Sequence, residues 1–257
     1  RWAGGGAGDP EGITWSFMPD GTLIPSAGYA GEPNGNSELF SNLDGRFAAQ
    51  GGRAAWIALF QQVFDRWEYL TGINFTRVQW AGLPWDDGAA FGTAGAAGLR
   101  GDMRIGMKEI DNASSILAYC YYPQNGDMVL DRDENWASTA NNFRFMRNIV
   151  QHEAGHGVGL RHVCSSDSGQ LMEPFLSTAF DNMQMDDNRG GARHYGDTFE
   201  PNNTTGTAMN QGDQTWPDSV IYGYDYDENN VNVSRRAISV DGDQDYIEFN
   251  VTKRTEV

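Results

Sequence analysis

The residues with the most chemistry in them lie between positions 152 and 162, in the run His152-Glu153-Ala154-Gly155-His156-Gly157-Val158-Gly159-Leu160-Arg161-His162. His152 and His156 are four apart, so on a helix their imidazoles project from one face. Two imidazoles from one helix can bind a single Zn²⁺. Glu153 lies about 100° around the helix from His152, which lets it reach a water on the metal without being a ligand. Gly159 tolerates positive φ and can end the helix sharply. The chain can then double back so that His162 supplies a third nitrogen. Three protein ligands leave a fourth position for water, the arrangement of a catalytic rather than a structural zinc. Two histidines and a glutamate alone also describe an ordinary amphipathic helix. The eleven-residue pattern is far more specific, and three of the chain's four histidines fall inside it.

The elements that must position these groups can be read from hydrophobic period. A helix is predicted from Asn141 or Asn142, either a good N-cap, to about Val158. Trp56, Phe60, Val63, Trp67 and Leu70 step by three and four residues, which marks another helical face. Gly51-Gly52 precedes that helix, and Gly72 stands where a left-handed cap would end it. Ile13, Trp15 and Phe17 alternate with polar residues as in a half-buried strand, ended by a turn at Pro19-Asp20-Gly21. Ile73 to Val78 and Met103 to Met107 read as strands, and Leu117 to Tyr122 and Met128 to Leu130 as extended segments. The Gly-rich residues 1–12 read as a loose arm. Strand, helix, strands, then helix make the first part of the chain a mixed α+β fold.

The composition excludes several classes of function. The chain has 257 residues, with 35 Asp and Glu against 18 Lys and Arg, a formal charge of −17. Phosphate neutralisation needs clustered cations, so nucleic acid is not an expected partner, and anionic lipid is equally unfavourable. No apolar run approaches the roughly 18–20 residues that span a bilayer, so no membrane insertion is expected. Two cysteines do not make a disulfide scaffold. Arg1 is not an initiator Met and no signal segment opens the chain, as expected of a mature or trimmed product.

The eleven-residue pattern resembles that of the metzincin metalloproteases. Leu171-Met172-Glu173-Pro174 follows it, with Met172 ten residues after His162, as in the methionine-containing turn that this family carries beneath its zinc. Pro174 stands where astacin-like and serralysin-like members place a zinc-binding Tyr; Met-x-Pro is the form of matrixins and reprolysin-like enzymes. Four further segments resemble matrixins: Ile13 to Phe17, Asp111 to Tyr119, Gly126 to Trp136, and Met185-Asp186-Asp187 to Tyr195-Gly196. The resemblance covers about residues 10–196 and implies a zinc-dependent endopeptidase with a twisted sheet and an active-site helix. Gly126 to Trp136 is similar to the family's edge-strand segment, so Met128 to Leu130 is expected to pair with an extended protein or peptide substrate. Pro174 and Phe175, after Met172, are expected to shape the pocket for the residue following the cut.

The same resemblance sets the metal expectations. Matrixins commonly hold a structural zinc with three histidines and an aspartate. Tyr119 and Val129 occupy matching positions here, which implies one zinc rather than two. Asp111, Asp131 and Glu134 match carboxylates of a neighbouring Ca²⁺ site, and oxygen ligands suit that ion; they read otherwise as a solvated acidic loop. Cys120 and Cys164 are either buried free thiols or a pair, the latter favoured by export. His194 is expected at the surface or a helix end.

Near residue 197 the composition turns polar. Asp197 to Asn203 and Val240 to Tyr246 are similar to the start of bacterial pre-peptidase C-terminal domains. This implies a linker and a partial, truncated β-sandwich over 197–257 after a catalytic domain over 1–196. Short strands are expected at Val220-Ile221, Ala237 to Val240 and Tyr246 to Val251. Asp241, Asp243 and Asp245 read as a β-turn rather than an EF-hand loop, because Tyr246 occupies the position that needs Gly. The expected whole is a secreted zinc endopeptidase with Glu153 as general base. The alternative is a non-catalytic extracellular binding module holding zinc and calcium for structure, in which a carboxylate at the open position would serve no purpose.

Overall fold

A computed structural model describes residues 1–2, 4–163, 168–202 and 204–214, and the short strands at 225–226, 232–233 and 247–251. A five-stranded sheet organises the chain up to residue 196. Its strands are β1 (Glu11–Phe17), β4 (Ile73–Arg77), β5 (Met103–Lys108), β6 (Ala118–Cys120) and β7 (Met128–Asp131), in the order β4-β1-β5-β7-β6. All neighbours are parallel except β6, which runs antiparallel to β7 with Tyr119 opposite Val129. β2 (Leu23–Ile24) and β3 (Gly35–Asn36) form a separate small hairpin. The fold is α+β, with helices α1 (Leu39–Arg46), α2 (Gly52–Leu70), α3 (Arg144–Gly157) and α4 (Met185–Tyr195).

α2 forms because its apolar residues recur with helical period, and Trp56, Phe60, Val63, Phe64, Trp67 and Leu70 are all buried. They meet the odd-numbered face of β1: Trp15 stacks on Phe64 with centroids 4.3 Å apart, and Phe17 meets Phe60 edge-on at 5.0 Å. Such ring pairs contribute about 0.5–1.5 kcal/mol beyond the area they bury. Trp67 also donates its indole N–H to the Gln151 carbonyl at 3.3 Å, tying α2 to α3.

The other face of the sheet carries a second apolar cluster, Met18, Ile24, Ile110, Tyr119 and Val129. Two buried ion pairs accompany it. Arg104 and Lys108, four apart on β5, project to that face and hold Asp86 at 2.8 Å and Glu32 at 2.6 Å, with all four side chains at most 1% exposed.

Several expectations are corrected. The arm at 1–12 is docked rather than loose: Trp2 donates its indole N–H to the Gly157 carbonyl at 2.8 Å, and Arg1 reaches the His194 carbonyl at 2.6 Å. β1 consequently begins at Glu11. Gly72 is not a left-handed cap. Thr71 ends α2 in an extended conformation, and a Cβ at Gly72 would overlap the Tyr195 carbonyl, so close backbone approach selects glycine there. α3 starts later than the Asn signals imply. Asn141, Asn142 and Phe143 form a left-handed run with φ of 51°, 55° and 59°, and Phe143 is the cap, with no side-chain capping bond. α1 carried no clear helical period in the sequence and was not foreseen.

Beyond residue 204, β8 (Met209–Gln214) pairs in parallel with β11 (Ile247–Val251), close to the strand expected at Tyr246 to Val251. β9 (Asp225–Tyr226) pairs with β10 (Asn232–Val233). The strands expected at Val220-Ile221 and Ala237 to Val240, and the turn at Asp241 to Asp245, lie outside the described residues. Among the described residues no helix is long and apolar enough to cross a membrane.

Candidate metal centre and active site

His152, Glu153 and His156 all lie on α3. Gly159, at φ 104°, reverses the chain just after it, with its N–H on the His156 carbonyl at 2.8 Å and Leu160 N–H on the Gly155 carbonyl at 2.8 Å. That turn returns His162 to the other two histidines. His162 Nε2 stands 3.1 Å from His152 Nε2 and 3.1 Å from His156 Nε2.

The opposite ring nitrogens fix the tautomers. His152 Nδ1 is 2.7 Å from the Leu171 carbonyl and His156 Nδ1 is 2.9 Å from the Leu160 carbonyl. A carbonyl only accepts, so each Nδ1 carries the proton and each Nε2 presents a lone pair. Burial lowers the pKa of all three histidines, that of His152 to about 3, with mutual repulsion adding to it. Two bare lone pairs, those of His152 and His156, are thus directed at the Nε2 of His162. Nitrogens at tetrahedral angles, about 2.0–2.1 Å from one zinc, would stand roughly 3.3 Å apart. The donor set fits that ion, and these three residues are the one His/Cys/Asp/Glu group among the described residues compact enough to hold a metal.

Glu153 is buried at the cleft with one carboxylate oxygen lacking any hydrogen-bond partner. Burial pushes its pKa up to about 8; a dication at the histidines would draw it down again, since opposite charge favours the carboxylate.

Beneath the histidines, Met172 packs against α3 where Gly155 leaves room, and a Cβ at Gly155 would overlap the Met172 sulfur. Asp187, the third residue of α4, accepts from the Leu171 N–H at 2.9 Å and the Met172 N–H at 3.0 Å. The same Leu171 turns its carbonyl to His152, so α4 helps orient a histidine that it never touches. The capping box between Gln184 and Asp187 was the available sequence signal for that role.

The cleft has a volume of about 430 Å³ and contains all three histidines and Glu153. Pro174 and Phe175 form part of its wall, as does Asn148, whose side-chain amide donates to the Ser177 and Phe180 carbonyls at 3.0 Å each. Tyr122 lies with its ring 5.8 Å from that of His156, and Tyr29 lines the cleft from a loop far upstream. Sequence reasoning had singled out none of Asn148, Tyr122 or Tyr29.

The expected substrate strand is corrected. Met128 to Leu130 lies within β7, which has β5 on one side and β6 on the other, so its main chain is already paired. The free edge belongs to β6, and Ala118, Tyr119 and Cys120 line the cleft.

Asp111, Asp131 and Glu134 do come together at one end of the sheet. Asp131 accepts from the Asp111 N–H at 3.1 Å and the Asp133 N–H at 3.0 Å, Glu134 from the Ser114 N–H, and Asp111 from the Ile116 N–H at 3.2 Å. Burial first, and then neighbouring carboxylates, raise the pKa of Asp131 and Glu134. Tyr119 gives its hydroxyl to Glu32 at 3.0 Å and Val129 is buried. Cys120 is a free thiol held well above its usual pKa by burial; Cys164 lies outside the described residues. His194 is in the last turn of α4, near the N-terminus.

A buried carboxylate beside a three-histidine cluster, on one helix and the turn after it, is an arrangement that could hold a metal ion with a base beside it. Residues 47–196 match the matrixin family. The chain is 30% identical over 150 residues to the interstitial collagenase of Bos taurus, covering 57% of the chain and 29% of that protein. It is 31% identical over 151 residues to matrix metalloproteinase-15 of Homo sapiens, covering 53% and 21%. It is 32% identical over 87 residues to stromelysin-3 of Mus musculus, covering 33% and 17%. The chain belongs to the matrixin family, and it spans less than a third of the length of these relatives.

Proposed function

We propose that the chain is a zinc-dependent endopeptidase in which His152, His156 and His162 hold the metal and Glu153 is the general base. The observation that carries this reading is the convergence of three imidazole nitrogens, two of them with their protons held on the far side of the ring, beside an unpartnered carboxylate oxygen. Held by these three histidines, zinc would supply Lewis acidity, enough to bring the pKa of a bound water near 7. Glu153 takes the proton of the attacking water and delivers it to the leaving amine. The free edge of β6 aligns the peptide as an added strand. The wall of Pro174 and Phe175 receives the side chain that follows the cut, with Met172 and Asp187 keeping the floor and His152 in place.

Four further parts belong to this proposal. Calcium binds Asp111, Asp131 and Glu134, supported by three buried or half-buried carboxylates on two segments that hydrogen bonds hold side by side. Residues 1–196 form the catalytic domain, supported by the family match ending at 196, and 197–257 a separate β module of pre-peptidase C-terminal type. The substrate is protein or peptide, as the family and the open cleft suggest. The enzyme works outside the cell, a reading that rests on its membership of the matrixin family.

The deciding experiment is incubation of the full chain with an unfolded protein, with and without a zinc chelator. Cleavage that chelation abolishes and zinc restores is expected. Zinc binding with no cleavage would instead favour the extracellular binding module.

A further inference from the structure

The family match begins at residue 47, yet a loop well before it reaches the cleft. The loop between β2 and β3 carries Tyr29, which lines the cleft while remaining 44% exposed. Three residues on, Glu32 spends its two oxygens on different partners. Oε2 accepts from the loop itself: Ala27 N–H at 2.6 Å, Ser26 hydroxyl at 3.0 Å and Gly28 N–H at 3.2 Å. Oε1 accepts from the sheet: Lys108 Nζ at 2.6 Å and Tyr119 hydroxyl at 3.0 Å. Lys108 adds a bond to the Pro33 carbonyl at 2.9 Å, and Glu32 N–H closes a turn on the Tyr29 carbonyl at 3.1 Å. One carboxylate therefore shapes the loop and fastens it to the edge strand. Because the pair is buried, removal of one partner would strand the other charge, so the loop is held in one position.

The Tyr29 ring lies 5.6 Å from that of Tyr119, and Tyr119 lies 5.9 Å from Tyr121. Along β6 and just beyond, residues alternate between faces. Ala118 and Cys120 pack toward the main core and α3, while Tyr119 and Tyr121 belong to the cluster on the opposite face. A peptide added to the free edge of β6 must alternate likewise. If one side chain enters the pocket walled by Pro174 and Phe175, those at odd distances from it turn toward Tyr29's face.

Resting on the peptidase reading above, we propose that Tyr29, held in place by Glu32, determines specificity. It receives a bulky apolar or ring-bearing side chain lying an odd number of residues along the substrate from the one in that pocket. Glu32 is a positioning residue that acts through Tyr29.

The test uses the zinc-loaded full chain and fluorogenic nonapeptides with a mapped cut, carrying Phe or Ala at each position in turn. At one odd-distance position, Phe lowers KM about tenfold relative to Ala, the scale of discrimination available to an apolar pocket, with little change in kcat. Tyr29→Ala abolishes that preference at that position alone. Tyr119→Phe keeps the ring but removes a bond to Glu32, and weakens the preference severalfold. Retention of every wild-type preference by Tyr29→Ala, loss at an even-distance position, or an equal loss at all positions overturns the inference. Where no peptide is cut, the peptidase reading falls by itself. The same Phe and Ala peptides are then titrated by fluorescence anisotropy against Glu153→Ala, with and without Tyr29→Ala. Loss of a tenfold difference in Kd upholds the role of Tyr29, and an unchanged or absent difference refutes it.

Discussion

Two clusters of residues are proposed to hold metal, of which only the histidines are compact enough among the described residues to do so as they stand, and the two differ in what their donor atoms are doing. The histidine nitrogens at 152, 156 and 162 converge at 3.1 Å, with the far sides of His152 and His156 already engaged by carbonyls. The carboxylates at 111, 131 and 134 are each occupied by backbone N–H groups, of their own segment or of the one facing it. The first cluster aims two bare lone pairs and a third imidazole at one point, an arrangement that a cation would complete. The second has found part of its compensation within the chain, and an ion there would add to an arrangement that already stands. Proximity alone is thus a weak sign of a metal site. Unsatisfied donors aimed at a common point are a strong one.

The largest effect that would break this contrast is loss of the metal itself. His156→Ala should remove the tightly held zinc, about one per chain in the wild type under the three-ligand catalytic-site model, and take peptidase activity to background. Metal analysis of washed protein checks it, and a variant that keeps its zinc would show that the cluster is not the site. A wild-type stoichiometry of two would point to a second centre.

Next in size is Glu153→Ala. General-base catalysis typically contributes about 10²–10⁴-fold, so kcat should fall by that order while zinc content stays the same. The pairing of lost turnover with retained metal separates the base from the ligands.

The pH response sharpens the contrast further. In the metal-free protein all three histidine pKa values lie below the ordinary 6.5, that of His152 near 3, chiefly because of burial. Above 6.5 the imidazoles are neutral in both folded and unfolded chains and contribute no pH dependence. As pH falls below 6.5 the unfolded chain takes up protons that the folded one resists, so stability decreases. Glu153, with its pKa pushed up to about 8, and Asp131 and Glu134 act in the opposite direction, since raised carboxylate pKa values favour the folded state on acidification. Replacing His152 and His156 together by Gln should therefore remove a destabilising contribution at low pH, so that the denaturation midpoint at pH 5 relative to that at pH 6.5 is higher in the variant than in the wild type. A slope unchanged by the substitution would place its origin elsewhere.

The smallest effect is expected at the acidic cluster. Calcium at a hundredfold excess over its Kd would stabilise by about 2.7 kcal/mol. With zinc supplied, the melting temperature should rise with millimolar calcium, and nicking between residues 111 and 134 should diminish. Asp131→Ala should remove the response. Identical wild-type melting with and without calcium would leave these carboxylates as anchors of the 111–116 loop.

The legible parts of the fold were those carried by local repetition. The α2 stripe from Trp56 to Leu70 and the alternation in β1 announced themselves because each element buries one face. Helix beginnings were less legible. Asn141 and Asn142 are good caps by type, but they adopt left-handed backbone and leave the cap to Phe143. Gly72 looked like a cap and is instead a point of contact with the far end of the domain, which no local pattern announces.

By itself, the sequence determined the histidine cluster as a candidate and the carboxylate beside it. Eleven consecutive residues, a helical period and one glycine at positive φ are enough to bring three nitrogens together, so that geometry is local. Tertiary structure alone decided which strand offers a free edge to a peptide and what lies beside it. β6 rather than β7 is the edge because β7 pairs with β5 on one side and with β6 on the other, partners that lie apart in the sequence. Glu32 meets Lys108 and Tyr119 across 76 and 87 residues of chain. Burial makes a charged pair acceptable only once both partners have arrived, and that condition is written in no single stretch of the chain.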